Sequence, residues 1–210
     1  MTESLEARQT QLEAIAAEVA ACRNCPLHKA RTHTVPGSGP ANAEIMFIGE
    51  APGFHEDQQG LPFVGASGKY LDQLLADVGL SRREVFITNV VKCRPPQNRD
   101  PMSQELEACE EYLNRQIALI NPKVIITLGR FSMAKYFPDG RISKIHGHPK
   151  RMGGRIYYPM YHPAAVLRTP NLRPEMEADM KRVPDLIKEA ESGALPENDE
   201  PEVPRQLSLF

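Results

Sequence analysis

The chain has no uninterrupted apolar run of the roughly 18 residues that a membrane-spanning helix needs. Its first stretch, Met1 to Gln11, is charged and polar where a secretory signal would be apolar, so a cytoplasmic protein without a membrane partner is expected. No internal repeat is visible, which argues against solenoids and propellers. An excess of positive charge is also missing: 25 Lys and Arg stand against 27 Asp and Glu, a net −2, which speaks against a nucleic-acid partner until the charge is divided along the chain. Beyond Lys188 lie six acidic residues and only one basic residue, Arg205. Residues 1–188 therefore carry 24 bases against 21 acids, a net +3, and a mildly basic body followed by an acidic tail permits phosphate binding. Cysteine is scarce, with Cys22, Cys25, Cys93 and Cys109 the whole set. A reducing compartment makes disulfides improbable, so their spacing reads as metal or redox chemistry.

A chain of 210 residues with 41% hydrophobic residues suits one well-buried domain. Leu5 to Ala21 has the spacing of an amphipathic helix, with Leu5, Leu12, Ile15 and Val19 on one stripe. Four apolar runs read as buried strands: Glu44 to Gly49, Val85 to Val91, Lys123 to Gly129 and Arg155 to Tyr161. Helical patterns separate them at Ser67 to Val78, Ser103 to Ile120 (capped by Ser103) and near Phe131 to Phe137, and Arg173 to Glu191 follows with a bend expected at Pro184. Alternating strands and helices imply an α/β fold, a three-layer α/β/α sandwich around a central parallel four-stranded sheet. The domain is expected over 1–188 and a disordered acidic tail over 189–210.

Each strand ends in a polar signature: Gly49-Glu50-Ala51-Pro52-Gly53, Asn89 to Arg94, Gly129-Arg130 and His162-Pro163-Ala164. In a parallel sheet these ends share one edge, where ligands bind. Asn89 there offers a rigid carboxamide, Phe63 a ring that can stack on a flat ligand, and His162 a general acid/base or a cation opposite a developing anion. Glu50 and Glu56 read as a loop charge and a capping acid. Lys92, Arg94, Arg99, Arg130, Lys150, Arg151 and Arg168 lie in or beside the edge loops, as phosphate contacts would. Leu167, apolar in a polar loop, is the type of wedge that enters a base stack. Cys22-x2-Cys25 sets two thiolates on one turn, and Cys93 with Cys109 completes a set of four that suits zinc or an iron–sulfur cluster without choosing between them.

Several of these stretches, taken together, are specific. G-E-A-P-G followed by E-D, G-L-P-F-V-G-A-S-G, N-V-V-K-C-R-P-P-Q-N-R and H-P-A-A-V-L-R resemble, in order, the motifs of the family 4 uracil-DNA glycosylases, the iron–sulfur group of bacteria and archaea. The resemblance covers about Cys22 to Arg168. It implies a [4Fe–4S] cluster on Cys22, Cys25, Cys93 and Cys109. Phe63 would stack on a flipped uracil and Asn89 would bond its polar edge. The backbone of Glu50, Ala51 and Pro52 would meet the pyrimidine and a catalytic water oriented by Glu50, His162 would stabilise the leaving base, and Leu167 and Arg168 would contact DNA. The implied activity is release of uracil from DNA in base excision repair, by a nucleoid-associated monomer. Where many relatives have Arg-Gly, this chain has His146-Gly147. The long basic insert of a group that bonds covalently to DNA is missing: Cys93 runs on to Cys109 without it.

A binding-only iron–sulfur or zinc module of the same fold is the alternative. An electron-transfer protein is disfavoured, because Asn, Phe and His at strand ends serve a cluster no purpose. The chain closes on Gln206-Leu207-Ser208-Leu209-Phe210, and Q-L-S-L-F resembles the short peptide by which bacterial replication and repair proteins dock on the sliding clamp, with Gln206, Leu207, Leu209 and Phe210 filling its pockets.

Overall fold

The computed structural model describes residues 4–197. The C-terminal peptide Gln206 to Phe210 lies outside the described residues. Helix α1 (Leu5–Ala21) is capped by Ser4, whose Oγ accepts from the Ala7 N–H at 3.2 Å, and it buries Leu12, Ile15 and Val19. Leu5, expected on the same stripe, is exposed. Strand β1 (Ile45–Gly49) leads through a short helix α2 (Phe54–Gln59) to α3 (Ala66–Asp77). Then come β2 (Val85–Asn89), α4 (Ser103–Ile120), β3 (Val124–Leu128), the short helices α5 (Arg130–Ala134) and α6 (Ile142–Ile145), and a hairpin of β4 (Lys150–Met152) and β5 (Arg155–Met160). Helices α7 (Pro163–Arg168) and α8 (Arg173–Ser192) complete the described chain.

The sheet has five strands in the order β2-β1-β3-β5-β4, where four were expected. The four expected strands are parallel, and β4 is an added antiparallel edge. Its cause is local. Gly153 and Gly154 both take positive φ, 57° and 74°, the backbone that a two-residue hairpin turn requires, so Lys150-Arg151-Met152 folds back on β5. A three-residue strand bearing Lys and Arg also blunts the edge of the sheet.

Side chains alternate across the sheet. Met46 and Ile48 join Leu12 of α1 and Leu106 and Leu113 of α4 on one face. Ile45 and Phe47 join Leu71 and Leu74 of α3 and Met176 and Val183 of α8 on the other. The three layers follow from that alternation. Two end details differ from expectation. The N-cap of α4 is Met102, whose N–H donates to the Glu105 carboxylate at 2.8 Å, and not Ser103. Helix α8 passes through Pro184 and reaches Ser192, so Glu189 to Ser192 belong to the helix and not to the tail, and Glu197 bridges back to Arg151.

β1 is flanked by β2 on one side and β3 on the other, so the chain reverses its direction of winding there, and a crevice opens beyond the carboxyl ends of the strands. The register pairs Gly49 with Asn89 and Leu128 with Met160, which brings Glu50, Asn89, Gly129 and His162 to one edge.

Candidate active site

The crevice encloses about 600 Å³, and its lining includes Glu50, Ala51, Pro52, Phe63, Asn89, His162, Leu167 and Arg168. Its floor depends on a glycine. A Cβ on Gly49 would overlap Asn89 Oδ1 and stand 2.6 Å from Phe63 Cζ, so only glycine lets the carboxamide and the ring meet at the end of β1. Asn89 itself is 1% exposed, and its Oδ1 has no hydrogen-bond partner in the free protein. A buried acceptor without a donor costs about 1–3 kcal/mol, which marks it as waiting for one.

Phe63 is held in a conformation that a non-glycine residue seldom takes, φ 53°. Glu56 supplies much of the restraint. One of its carboxylate oxygens accepts from the Val64 and Gly65 N–H groups at 2.9 Å each, the other from the Gly53 N–H at 3.1 Å. Arg82 donates to the carbonyls of Pro62, at 2.9 Å, and of Phe63. A Cβ on Gly68 would overlap the Phe63 carbonyl, so the start of α3 packs directly on this backbone. Strain that several contacts impose together persists where function uses it. The Phe63 ring lies against the His162 ring, centroids 5.6 Å apart and planes 29° off parallel.

Two of the titratable groups lining the crevice, Glu50 and His162, are pushed in opposite directions. Burial, then Asp100, raises the Glu50 carboxyl to about 7, with Arg130 and Arg168 opposing. Burial, then Arg168, lowers His162 to about 4, so at neutral pH it is a neutral imidazole and not the cation considered from sequence. The Ala164 N–H donates to His162 Nδ1 at 3.1 Å, so the lone pair sits on Nδ1 and the ring proton on Nε2.

The expected basic contacts divide. Arg99, Arg130 and Arg168 line the crevice, and Arg130 pairs with Asp100. Arg94 lies over the exposed Phe54 ring at 5.2 Å. Arg99 is committed to Glu105 at the crevice wall, whereas Arg151, which pairs with Glu197 at 2.9 Å, and Lys150 lie on the β4 edge outside the crevice lining. Lys92 is no phosphate contact: it is fully buried. Burial works against its charge and lowers its pKa to about 7, yet its Nζ faces three acceptors, and only the ammonium has three N–H groups. The departure from the family at His146 also has a structural account, since His146 bonds Asp179 at 2.8 Å and packs on Tyr161.

Cys25, Cys93 and Cys109 are buried and Cys22 half-buried. Among the described residues, no three His, Cys, Asp or Glu side chains stand together as a metal site. The donor set nevertheless suits a thiolate-held group. Burial raises Cys25 and Cys93 and pushes Cys109 up to about 11, and each of the three is influenced by its cysteine neighbours, so they share one environment in which ionisation calls for a cation. N–H donors already point at sulfur: Arg31 to Cys93 at 3.2 Å, the Lys92 backbone to Cys109 at 3.5 Å, and the Asn24 backbone to Cys22 at 3.5 Å.

Sequence reasoning missed α2, the anchoring role of Glu56 and Arg82, and the burial of Lys92. Glu56 reads in sequence as a capping acid, and its carboxylate does accept from the Gly53 N–H at 3.1 Å, but its hold on Val64 and Gly65 was not foreseen. Nothing local marked Arg82 or Lys92, whose partners are up to 24 residues distant.

An α/β/α sheet carries a strained aromatic, an unpartnered carboxamide and a neutral histidine at its carboxyl edge, a lining whose shape and polarity suit a flat, polar-edged ligand. The family model for the uracil DNA glycosylase superfamily matches residues 36–183. The chain is 50% identical over 185 residues to a type-4 uracil-DNA glycosylase of Sulfurisphaera tokodaii, covering 83% of this chain and 84% of that one. It is 48% identical to the type-4 enzyme of Archaeoglobus fulgidus (83% and 92% covered) and 41% identical to that of Thermotoga maritima (86% and 97%). A type-5 uracil-DNA glycosylase of Thermus thermophilus is more distant, at 34% over 141 residues. The chain belongs to the type-4 uracil-DNA glycosylases.

Proposed function

We infer that this chain flips deoxyuridine out of DNA and hydrolyses its N-glycosidic bond, releasing uracil and leaving an abasic site. The observation that carries the reading is the buried, unpartnered Oδ1 of Asn89 beside the Phe63 ring. Uracil presents a donor at N3, cytosine an acceptor, so a fixed carboxamide oxygen accepts from the first and repels the second.

Taking the base out of the stack costs a few kcal/mol, least at a mispair such as U·G. Leu167, 41% exposed on α7, would enter the gap, and Arg168 beside it would meet phosphate. As the C1′–N1 bond breaks, its electron pair goes to the base, leaving positive charge on the sugar. His162, neutral and with its proton fixed on Nε2, donates to the anion that develops on uracil. Such a preorganised donor is worth about 3–4 kcal/mol if it acts like one in an oxyanion hole. Water adds to C1′ and passes its proton to Glu50, whose carboxyl at about 7 is tuned to the working pH. Release of free uracil from a labelled, uracil-containing oligonucleotide tests the reading, and a protein that binds such DNA without releasing uracil overturns it.

Cys22, Cys25, Cys93 and Cys109 would hold a [4Fe–4S] cluster, which supplies a covalent tie between the end of α1, the loop after β2 and α4. Protein purified without oxygen should be brown and contain iron and acid-labile sulfide; a colourless protein with one zinc would refute the assignment. For the sliding clamp the support is the sequence Gln206 to Phe210 alone. Deleting those five residues should abolish capture by the clamp and leave uracil release from short oligonucleotides unchanged.

A further inference from the structure

We propose that Lys92 is a positioning residue for Asn89: its buried side chain clamps the end of β2 so that the carboxamide enters the crevice in one orientation. The proposal rests on the reading of Asn89 as the group that selects uracil.

β2 is an edge strand. Its outer side is bridged once, where Ile87 exchanges backbone hydrogen bonds with Ser38 at 2.8 and 2.9 Å. By the two-residue period of a strand, the Asn89 carbonyl points to that same outer side, beyond the bridge. Lys92 Nζ is its partner, at 2.9 Å.

The other two acceptors of Nζ are themselves fixed. Nζ lies 2.6 Å from Thr88 Oγ1 and 2.7 Å from Gln116 Oε1. The Thr88 hydroxyl donates to the Pro36 carbonyl at 2.9 Å and Gln116 Nε2 to the same carbonyl at 2.7 Å. Both side chains therefore turn an oxygen toward Nζ, and its third N–H is directed at Asn89. The loop at Pro36, α4 and the end of β2 close into one network with no carboxylate in it. On the inner side, a Cβ on Gly49 would overlap Asn89 Oδ1, so the carboxamide occupies the space that this glycine leaves open. Clamping the Asn89 backbone from outside fixes where the side chain departs from β2, and so the direction from which it meets a base, which is what discrimination between N3–H and N3 requires.

The test is a double-mutant cycle on the full-length protein with its cluster in place, reading uracil release from a uracil-containing oligonucleotide. Lys92→Met keeps an unbranched chain of similar length without the donor. It should lower kcat about tenfold with KM within about twofold, and in the Asn89→Ala background it should cost less than about twofold more, since a residue that acts only through Asn89 has nothing left to position. A residue of merely structural importance would give the same factor in both backgrounds, and that result overturns the proposal. So does a Lys92→Met enzyme as active as wild type, or one whose DNA binding loses salt dependence as a phosphate contact would. If Lys92→Met does not fold, Thr88→Val, equal in shape and lacking the acceptor, takes its place in the cycle under the same criteria. A wild-type protein that releases no uracil overturns the function reading and this proposal with it. A working wild type with multiplicative losses overturns this proposal alone.

Discussion

Replacing Asn89 with leucine separates recognition from folding, because the two side chains share a branched shape and differ in polarity. In the free protein the buried Oδ1 has no donor, a condition that costs about 1–3 kcal/mol. Asn89→Leu removes the cost and fills the same space, so stability should be unchanged or higher by about 1 kcal/mol, a rise of roughly 2–4 °C in Tm for a domain of this size. With uracil in the crevice the balance reverses. The N3–H of the base then faces a methyl group in a site closed to water and loses about 1–3 kcal/mol, roughly 5- to 150-fold in kcat/KM. The assay pairs thermal unfolding with uracil release from a labelled oligonucleotide, each on wild type and variant. A Tm that falls by several degrees while uracil release stays within a few-fold of wild type would show that Asn89 is a structural residue, and the recognition argument would be wrong.

Glu50, raised to about 7, should make kcat climb with pH through about 7 and then level, a step that Glu50→Gln should erase along with most of the activity. In the same group the folded state keeps a proton that the unfolded state releases above about 4.5, so its contribution lowers stability as pH rises from about 4.5 to 7; urea midpoints of the two proteins at pH 5 and pH 8 measure it. His162 titrates the other way: lowered from 6.5 to about 4, it should place no step in the rate between pH 5 and 8, and its burial costs stability as pH falls from about 6.5 to 4. His162→Ala should lower kcat about 10²- to 10³-fold with KM little changed, and a raised KM at unchanged kcat would assign it to ground-state binding. Gly68→Ala, whose new methyl overlaps the Phe63 carbonyl, should displace the ring and lower both Tm and uracil release; an unaffected enzyme would show that the Phe63 backbone is free to move.

The periodic elements were legible because their signals are local. Val124 to Leu128 and Val85 to Asn89 are short β-branched runs between helical patterns, and their carboxyl ends converge because parallel strands share an edge. The fifth strand was missed for want of length: three residues carry no alternation, and only the Gly153-Gly154 pair announced the hairpin. The candidate site was legible as a set of residue types at strand ends, but not in its electrostatics. That His162 is neutral depends on burial and on Arg168, and its tautomer on an amide two residues onward. Lys92 looked like Arg94 in sequence, each a base in the loop after β2. One is enclosed by Thr88 and Gln116 and the other lies against exposed Phe54, a difference that only packing decides.

The same limit applies to two glutamates six residues apart, Glu50 just past β1 and Glu56 in α2, whose surroundings differ. Glu56 has three backbone N–H groups aimed at its carboxylate, which satisfies the charge and ties the turn after β1 to the backbone around Phe63. A carboxylate so occupied has its oxygens committed to the backbone and not to a water. Among the described residues no N–H donates to the Glu50 carboxylate; instead its backbone carbonyl is tied to the Val91 N–H at 3.1 Å, which fixes the residue and leaves the side chain lining the crevice. Burial without compensating hydrogen bonds is what raises its carboxyl, and a raised carboxyl is a stronger base for the proton of an attacking water once ionised. The division of labour therefore follows from where the amides point. Moving the three N–H groups from Glu56 to Glu50 would hold Glu50 ionised and leave it a poorer base, while freeing the backbone that holds Phe63.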